Sequence, residues 1–475
     1  MKQNKISYSL ILLLLFSTFL FAQEIKIKIT ETTDTHGAIF PFDFLNARPS
    51  NYSLANIETY IKTQRKDTNQ VFLLFSDGDI LQGTPVVYYS NFIDTTNPNI
   101  CARIMNYMHY DVGTVGNHDI EAGHKVYDRV NKEFNFPWLA ANAINLKTGK
   151  PYFTPYTVFV RKGIKIAVLG LITPGIPNWL PPNIYKGIKF DDMVETARKW
   201  VKIIKEKEHP DLLIGLFHSG VDYTYGGEDA NTYKNENASL LVAKKVNGFN
   251  IVFVGHDHHG WNRWTTNDFG KKVLIIGGTH SAIVFATVNI VFSLNGKKKT
   301  LENIRGELIH SNKFNPDVQF VNKFKKDFVK VKNYVMQPIG VFTKSITTKD
   351  AFFGDSPFVD LIHKVQLDIT GADVSFAAPL SFNATINKGT VYIKDMFKLY
   401  HYENFLYTIK LSGKEIKDAL EYSYANWFNT MKSPNDNLLK FEKNGSASNN
   451  NKPLLAGRFY NFDSADGINY IVDVD

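Results

Sequence analysis

From residue 24 to about residue 310 the chain alternates short apolar runs with polar or amphipathic stretches. Ile25–Ile29, Val71–Phe75, Asp111–Val115, Ile164–Leu171, Leu212–Phe217, Ile251–Val254 and Val273–Ile276 are β-rich runs of the length expected for buried strands. Helix-length segments such as Phe190–Glu206 lie between several of them. The pattern predicts an α/β architecture, in which the loops after strand C-termini converge and carry the chemistry. Residues 316–334 are apolar at Val318, Phe320, Val321, Phe324, Phe328, Val331 and Tyr334, a helical spacing after Asn-Pro, and read as a helix linking two domains. The remainder, 336–475, reads as a second α/β unit, interrupted by the low-complexity loop Lys443–Lys452. The expected division is 1–22, 23–312, a linker over 313–335, and 336–475.

Composition narrows the chemistry. Of 475 residues, 44% are hydrophobic and 21% charged, which fits a globular chain and excludes a mostly disordered one. A single cysteine excludes an internal disulfide framework and clustered-thiolate metal sites, so any metal must be held by His, carboxylate and amide groups. Met1–Ala22 carries Lys2 and Lys5, the apolar run Leu10–Phe16 and a small residue before Gln23, the pattern of an export signal. Export to the periplasm, the cell surface or the medium is expected, without a transmembrane anchor. Removing Lys2 and Lys5 leaves 52 basic against 46 acidic residues, a net charge of +6. The basic residues are scattered, so no nucleic-acid polymer is expected as partner. A monomer is expected.

Five of the predicted strands end in metal-ligand residue types. The segments are Asp34-Thr35-His36, Asp77-Gly78-Asp79, Gly116-Asn117-His118-Asp119, His218-Ser219-Gly220 and Gly255-His256-Asp257-His258-His259. Each alone is weak, because a histidine after a strand is more often a capping or structural residue. Five in succession, each after a strand, point to one shared site for two metal ions, and ligands of this mix suit Mn, Zn, Fe, Co or Mg. Phosphoester hydrolysis needs a nucleophile at neutral pH and neutralisation of growing negative charge, and two divalent ions about 3.5–4 Å apart supply both. Asp79 is the natural carboxylate to bridge them.

These segments resemble the calcineurin-like metallophosphoesterases, and the whole chain is similar to the group of 5′-nucleotidases and 2′,3′-cyclic-nucleotide 2′-phosphodiesterase/3′-nucleotidases. The family's D-x-H, G-D, G-N-H-E/D, H and G-H-x-H blocks are matched by Asp34/His36, Asp79, Asn117/His118, His218 and His256/His258. The resemblance implies an N-terminal four-layer α/β/β/α sandwich and a C-terminal α/β nucleotide-recognition domain. It implies one metal on Asp34, His36, Asp79 and His258, and another on Asp79, Asn117, His218 and His256. It implies that His118 stabilises or protonates the leaving oxygen, oriented by Glu121, with Asp119 as the alternative. Asp77 and Asp257 read as turn or supporting residues, and His259 and His280 as structural ones.

The resemblance extends to Ala377–Leu380, Asp395–Asn404, Leu411–Gly413 and Tyr460–Val472. There the family sandwiches a base between two aromatics, which implies Tyr402 and Tyr460, with Asn404 and Asp466 as polar partners and Phe462 as the alternative stacker. Ala377–Ile386 lacks the arginine of the 5′-nucleotidase branch, which favours 2′,3′-cyclic nucleotides and 3′-nucleotides as substrates. The alternatives are 5′-nucleotides or nucleotide-diphosphate sugars as substrates, and a non-catalytic nucleotide-binding surface protein. The chain stops at Asp475, before the family's usual final strands, and the second domain reads as truncated.

Overall fold

The computed structural model describes residues 23–475 apart from 382, 401–404, 442–454 and 457–461. The proposed signal segment, the low-complexity loop, Tyr402, Asn404 and Tyr460 lie outside the described residues. The chain divides into two compact units, with the boundary after Phe324 and a short excursion, Asp43–Arg48, belonging to the second.

The first unit is built on twelve strands that form two six-stranded sheets. In chain order they are β1 (Gln23–Thr32), β2 (Gln70–Ser76), β3 (Val112–Thr114), β4 (Trp138–Leu139), β5 (Tyr156–Arg161), β6 (Ile164–Ile172), β7 (Leu212–His218), β8 (Ile251–Val254), β9 (Trp261–Thr266), β10 (Lys272–Gly277), β11 (Val284–Asn295) and β12 (Lys298–His310). One sheet has the order β12-β11-β1-β2-β3-β4, the other β9-β10-β8-β7-β6-β5. β1 to β4 run parallel, as do β6, β7, β8 and β10, while β5, β9, β11 and β12 pair antiparallel with their neighbours.

Side-chain alternation explains the layering. Ile25, Ile27, Ile29, Leu73 and Phe75 of the first sheet pack against Ile166, Val168, Ile214, Leu216 and Phe253 of the second. The other face of the second sheet, with Ala167, Leu169, Leu213, Val252 and Ile275, is covered by the helices Met193–Glu208 and Ser239–Lys245. A strand buried on both faces has no polar side, which is why central runs such as Leu212–Phe217 and Ile251–Val254 are continuously apolar. Two residues separate the strand residue Phe190 from the helix Met193–Glu208. Asp192 caps it by accepting a hydrogen bond from the Glu195 amide at 2.9 Å, and Met193, Ala197, Val201 and Ile204 form its buried stripe.

The expected single linker helix is two helices. Val318–Lys323 is capped by Asp317, and Phe320 and Phe324 pack edge-on against Tyr107 in the first unit. The helix stops at Phe324, and Lys325–Val335 belongs to the second unit, so the boundary falls inside the predicted linker. The apolar spacing runs through the break because both halves bury a face, each against its own unit.

The second unit holds the helices Pro357–Thr370, Ile393–Leu399 and Gly413–Trp427. One core gathers Phe358, Val359, Ile362, Ala377, Ile386, Val391 and Leu399. Another gathers Phe352, Trp427, Leu439 and Phe462. The strand Ser464–Asp466 pairs antiparallel with Ser375–Ala377, setting Asp466 opposite Ser375.

Candidate metal centre

All five ligand segments sit at C-terminal strand ends. Asp34 and His36 follow β1, Asp79 follows β2, and Asn117 and His118 open the short helix Asn117–Glu121 after β3. His218 is the last residue of β7, and His256 and His258 follow β8. Because β1–β3 are mutually parallel and β7 and β8 are too, each sheet delivers its segments to one edge.

The backbone there is strained. Asp34, His36, Asp79, His256 and His258 all have positive φ, between 46° and 76°. Left-handed backbone costs a non-glycine residue free energy, and such residues gather where the surrounding structure needs a side chain aimed off the strand direction. Glycine serves a different purpose here, close approach. A Cβ on Gly116 would lie 2.1 Å from Asp79 Oδ1, and one on Gly255 would lie 2.1 Å from Thr33 Oγ1 and 2.9 Å from Asp34 Oδ2.

The side chains converge with their lone pairs inward. His36 turns Nδ1 to the backbone carbonyl and Oε1 of Gln82, at 3.2 and 3.1 Å, which makes Nδ1 the donor and leaves Nε2 bare, 3.1 Å from His258 Nε2. His218 gives its Nδ1 hydrogen to the Asp77 carbonyl at 2.5 Å, so its Nε2 faces Asp79 Oδ2 and Asn117 Oδ1, both at 3.1 Å. His256 Nδ1 lies 2.8 Å from the same Asn117 oxygen. His258 Nε2 is 3.5 Å from Asp34 Oδ1. Asp34, His36 and His258 form one compact ligand group, and Asp34, Asp79 and His218 form another.

Acceptor facing acceptor, in a buried site, calls for a positive charge between them. The ionised carboxylates draw that charge to His218 as a proton, which a bound ion would displace. Burial opposes charge on His218, yet Asp79, Asp34 and Asp77 raise its pKa well above the ordinary value. Burial would raise Asp34, but His218 and His258 hold it at about 2. His36 is pushed down to about 4, by burial first and by its histidine neighbours. Ionised carboxylates with a neutral imidazole are the donor states a divalent ion needs. The residues therefore fit a divalent-metal site.

His118 stands beside this group, its ring centroid 5.3 Å from that of His36 and its backbone amide donating to Asp79 Oδ1 at 2.9 Å. Its Nδ1 is hydrogen-bonded to Glu121 Oε2. Burial opposes the imidazolium, but Asp79 and Glu121 outweigh it and raise His118 to about 9.

Asp119 does not orient His118. Its oxygens accept from the backbone amides of Asp79, Ile80, Leu81 and Gly116 at 2.8–3.0 Å, which fixes the turn that presents Asp79. One residue of helix separates Asp119 from the position that faces the ring, and Glu121 occupies that position. Asp257 is a turn residue, accepting from Val221 and the Trp261 indole. Asp77 acts through its carbonyl, and both of its side-chain oxygens are buried without a hydrogen bond. His259 is exposed, and His280 lies against His258 at 4.9 Å between ring centroids.

In the second unit Phe462 is 1% exposed and stacks on Trp427 with ring centroids 5.0 Å apart, nearly parallel. It is a core residue with no face open to a base, so Phe462 is not the alternative stacker. Asp466 is exposed, and its oxygen accepts from the Gly467 amide.

Two contributors are not among the residues singled out in the sequence. Gln82 holds the outer nitrogen of His36, and Glu236 holds that of His256, its Oε1 accepting from Nε2 at 3.1 Å. Gln82 lies just past the Asp-Gly-Asp turn, where its position relative to Asp79 was a usable signal. Glu236 sits in a long polar loop without periodicity.

Comparison with known proteins places both units. Residues 27–260 match the calcineurin-like phosphoesterase family and residues 338–470 match the 5′-nucleotidase C-terminal domain. A trifunctional nucleotide phosphoesterase protein YfkN from Bacillus subtilis is 25% identical across 95% of this chain, which spans 33% of that protein's length. A 2′,3′-cyclic-nucleotide 2′-phosphodiesterase/3′-nucleotidase from Yersinia enterocolitica is 25% identical across 95% of this chain and 74% of its own. The crystal structure of a 5′-nucleotidase precursor from Thermus thermophilus shares the fold, with a TM-score of 0.65 at 20% identity over 93% of this chain and 81% of the other. With both units matched and the ligand groups in place, the chain belongs to the calcineurin-like phosphoesterases that carry a 5′-nucleotidase C-terminal domain, a family of phosphoric ester hydrolases that use divalent metals.

Proposed function

We propose that the chain is an exported nucleotide phosphohydrolase with two divalent ions, acting on 2′,3′-cyclic nucleotides and 3′-nucleotides and releasing nucleoside and phosphate. The observation that supports it most is the convergence of Asp34, His36, Asp79, Asn117, His218, His256 and His258 beside the His118–Glu121 pair. A binding module has no use for a histidine kept protonated beside metal ligands.

Bound ions supply Lewis acidity and a nucleophile at neutral pH. One would be held by Asp34, His36, Asp79 and His258, the other by Asp79, Asn117, His218 and His256. The protein groups do the rest. Asp79 is locked by the His118 amide on one oxygen and presents the other to the ligand cluster. His118 holds a proton, because Asp79 and Glu121 favour its charged form, and gives it from Nε2 to the departing ribose oxygen as the P–O bond breaks. A cyclic substrate opens in this way to a 3′-monophosphate, and a second round releases the nucleoside. Tyr402, Tyr460, Asn404 and Asp466 would recognise the base. The missing arginine in Ala377–Ile386 and the printed activity of the Yersinia relative support the cyclic and 3′ substrates over 5′-nucleotides.

Turnover of 2′,3′-cyclic AMP, 3′-AMP and 5′-AMP, compared under added Mn, Zn, Co and Mg, tests this reading. The first two should be hydrolysed at least tenfold more efficiently than the third. Preference for 5′-AMP would overturn the substrate assignment, and no turnover of any of them would overturn the enzyme assignment.

A further inference from the structure

We propose that Glu236 is a positioning residue for the metal centre, fixing the ring of His256 so that its bare Nδ1 faces the ligand cluster. The inference rests on the metal reading above.

Three histidines of the cluster have an outer nitrogen held by the protein, and the three holders differ. His36 meets the amide and carbonyl oxygens of Gln82, and His218 meets a backbone carbonyl. Only His256, among these, is backed by a carboxylate. A carboxylate oxygen can only accept, so it forces the hydrogen of a neutral imidazole onto Nε2 and leaves the Nδ1 lone pair free. It also makes that lone pair a stronger donor to a cation, and loss of such a partner typically costs about 10–100-fold in metal affinity.

Glu236 is built to stay in place. Its carbonyl accepts from Thr173 Oγ1 at 2.9 Å and from Ser219 Oγ at 2.8 Å, two residues directly after β6 and β7. Its amide donates to Glu228 Oε2 at 3.0 Å. The neighbours on each side are fixed as well. Asn235 donates to the carbonyls of Tyr223 and Asp229, and the Asn237 side chain accepts from the Gly220 amide at 3.2 Å. The Trp179 ring packs on His256 with centroids 5.5 Å apart and limits rotation of the imidazole. A loop that reads as featureless polar sequence thus has its end tied to two strand ends, and Glu236 is the side chain so delivered.

The test is calorimetric titration of the metal-stripped full chain with Mn²⁺, for wild type, Glu236→Ala and Glu236→Gln, alongside thermal unfolding of each stripped protein. Wild type should take up two ions. Glu236→Ala should lose about 10–100-fold in affinity at one of them, with the other ion and the unfolding midpoint of the stripped protein unchanged. Glu236→Gln, which keeps an accepting oxygen without the charge, should fall between the two. Unchanged affinity for both ions in Glu236→Ala would overturn the proposal. So would an equal loss at both ions together with a lower unfolding midpoint, which would mean that Glu236 only holds the loop. A wild-type chain that bound no Mn²⁺ would overturn the metal reading itself, a separate and recognisable failure.

Discussion

His118 and Glu121 are three residues apart on the one short helix after β3, and that spacing puts carboxylate and imidazole on the same face. If His118 protonates the leaving oxygen, His118→Asn should lower kcat for 3′-AMP by about 10²–10⁴-fold. The loss should be far smaller for 4-nitrophenyl phosphate, whose leaving group needs no proton. Equal losses for both substrates would assign His118 another role. The same histidine sets a pH dependence. Its pKa in the folded chain is about 9, raised from 6.5. A raised value stabilises the fold fully below pH 6.5, and that contribution is lost as the pH climbs through about 9. The urea midpoint of the metal-stripped protein should therefore fall between pH 6.5 and 9.5 more steeply in wild type than in His118→Asn, and parallel profiles would count against a charged His118. Gly116 is a sharper case. Its Cβ would meet the Asp79 carboxylate at 2.1 Å, so Gly116→Ala should abolish hydrolysis and Mn²⁺ uptake, as measured by titration.

Among the elements, those with a strong period were legible and those held by tertiary contacts were not. Runs such as Val71–Phe75, Leu212–Phe217 and Ile251–Val254 were readable because strands buried on both faces are apolar without interruption, Ile25–Ile29 because it alternates Ile with Lys, and the strand ends located every metal-ligand candidate. The break at Phe324 was hidden, since each half of the predicted linker keeps an apolar face toward its own unit. Glu121 is the expected partner of His118, and Asp119 stood as the alternative because adjacency in sequence does not reveal that its carboxylate has turned inward to cap four amides. Phe462 lies in an aromatic-rich stretch where core and ligand-facing rings look alike on paper. Glu236 left no signal at all, because its position depends on Thr173 and Ser219, both remote in sequence. The helix Met193–Glu208 offers an element-scale test. Asp192 caps it with one oxygen and accepts from the Lys234 amide at 3.1 Å with the other, joining the helix start to the loop that carries Glu236. Asp192→Ala should cost about 1 kcal/mol in urea unfolding, and a variant as stable as wild type would contradict the cap.

For the whole molecule, composition excluded more than it identified. One cysteine removed thiolate chemistry, and that lone thiol, Cys101, is buried. Among the described residues no helix is long and apolar enough to cross a membrane. Division of labour between the two units makes a further claim, that base recognition belongs to the second. Tyr402→Ala should raise KM for 3′-AMP by about 5–150-fold, the equivalent of about 1–3 kcal/mol of stacking, and leave KM for 4-nitrophenyl phosphate unchanged. Equal effects on both would remove Tyr402 from substrate binding. The central claim is that the ligand cluster at the strand ends runs phosphoester hydrolysis only when it holds metal. The most direct measurement is the rate of 2′,3′-cyclic AMP hydrolysis by chelator-stripped protein before and after a divalent ion is restored, with Asp79→Ala in parallel. The account predicts no turnover in the stripped protein, full recovery on adding the ion, and none in Asp79→Ala under either condition. Undiminished turnover in the stripped protein, or in Asp79→Ala, would contradict it.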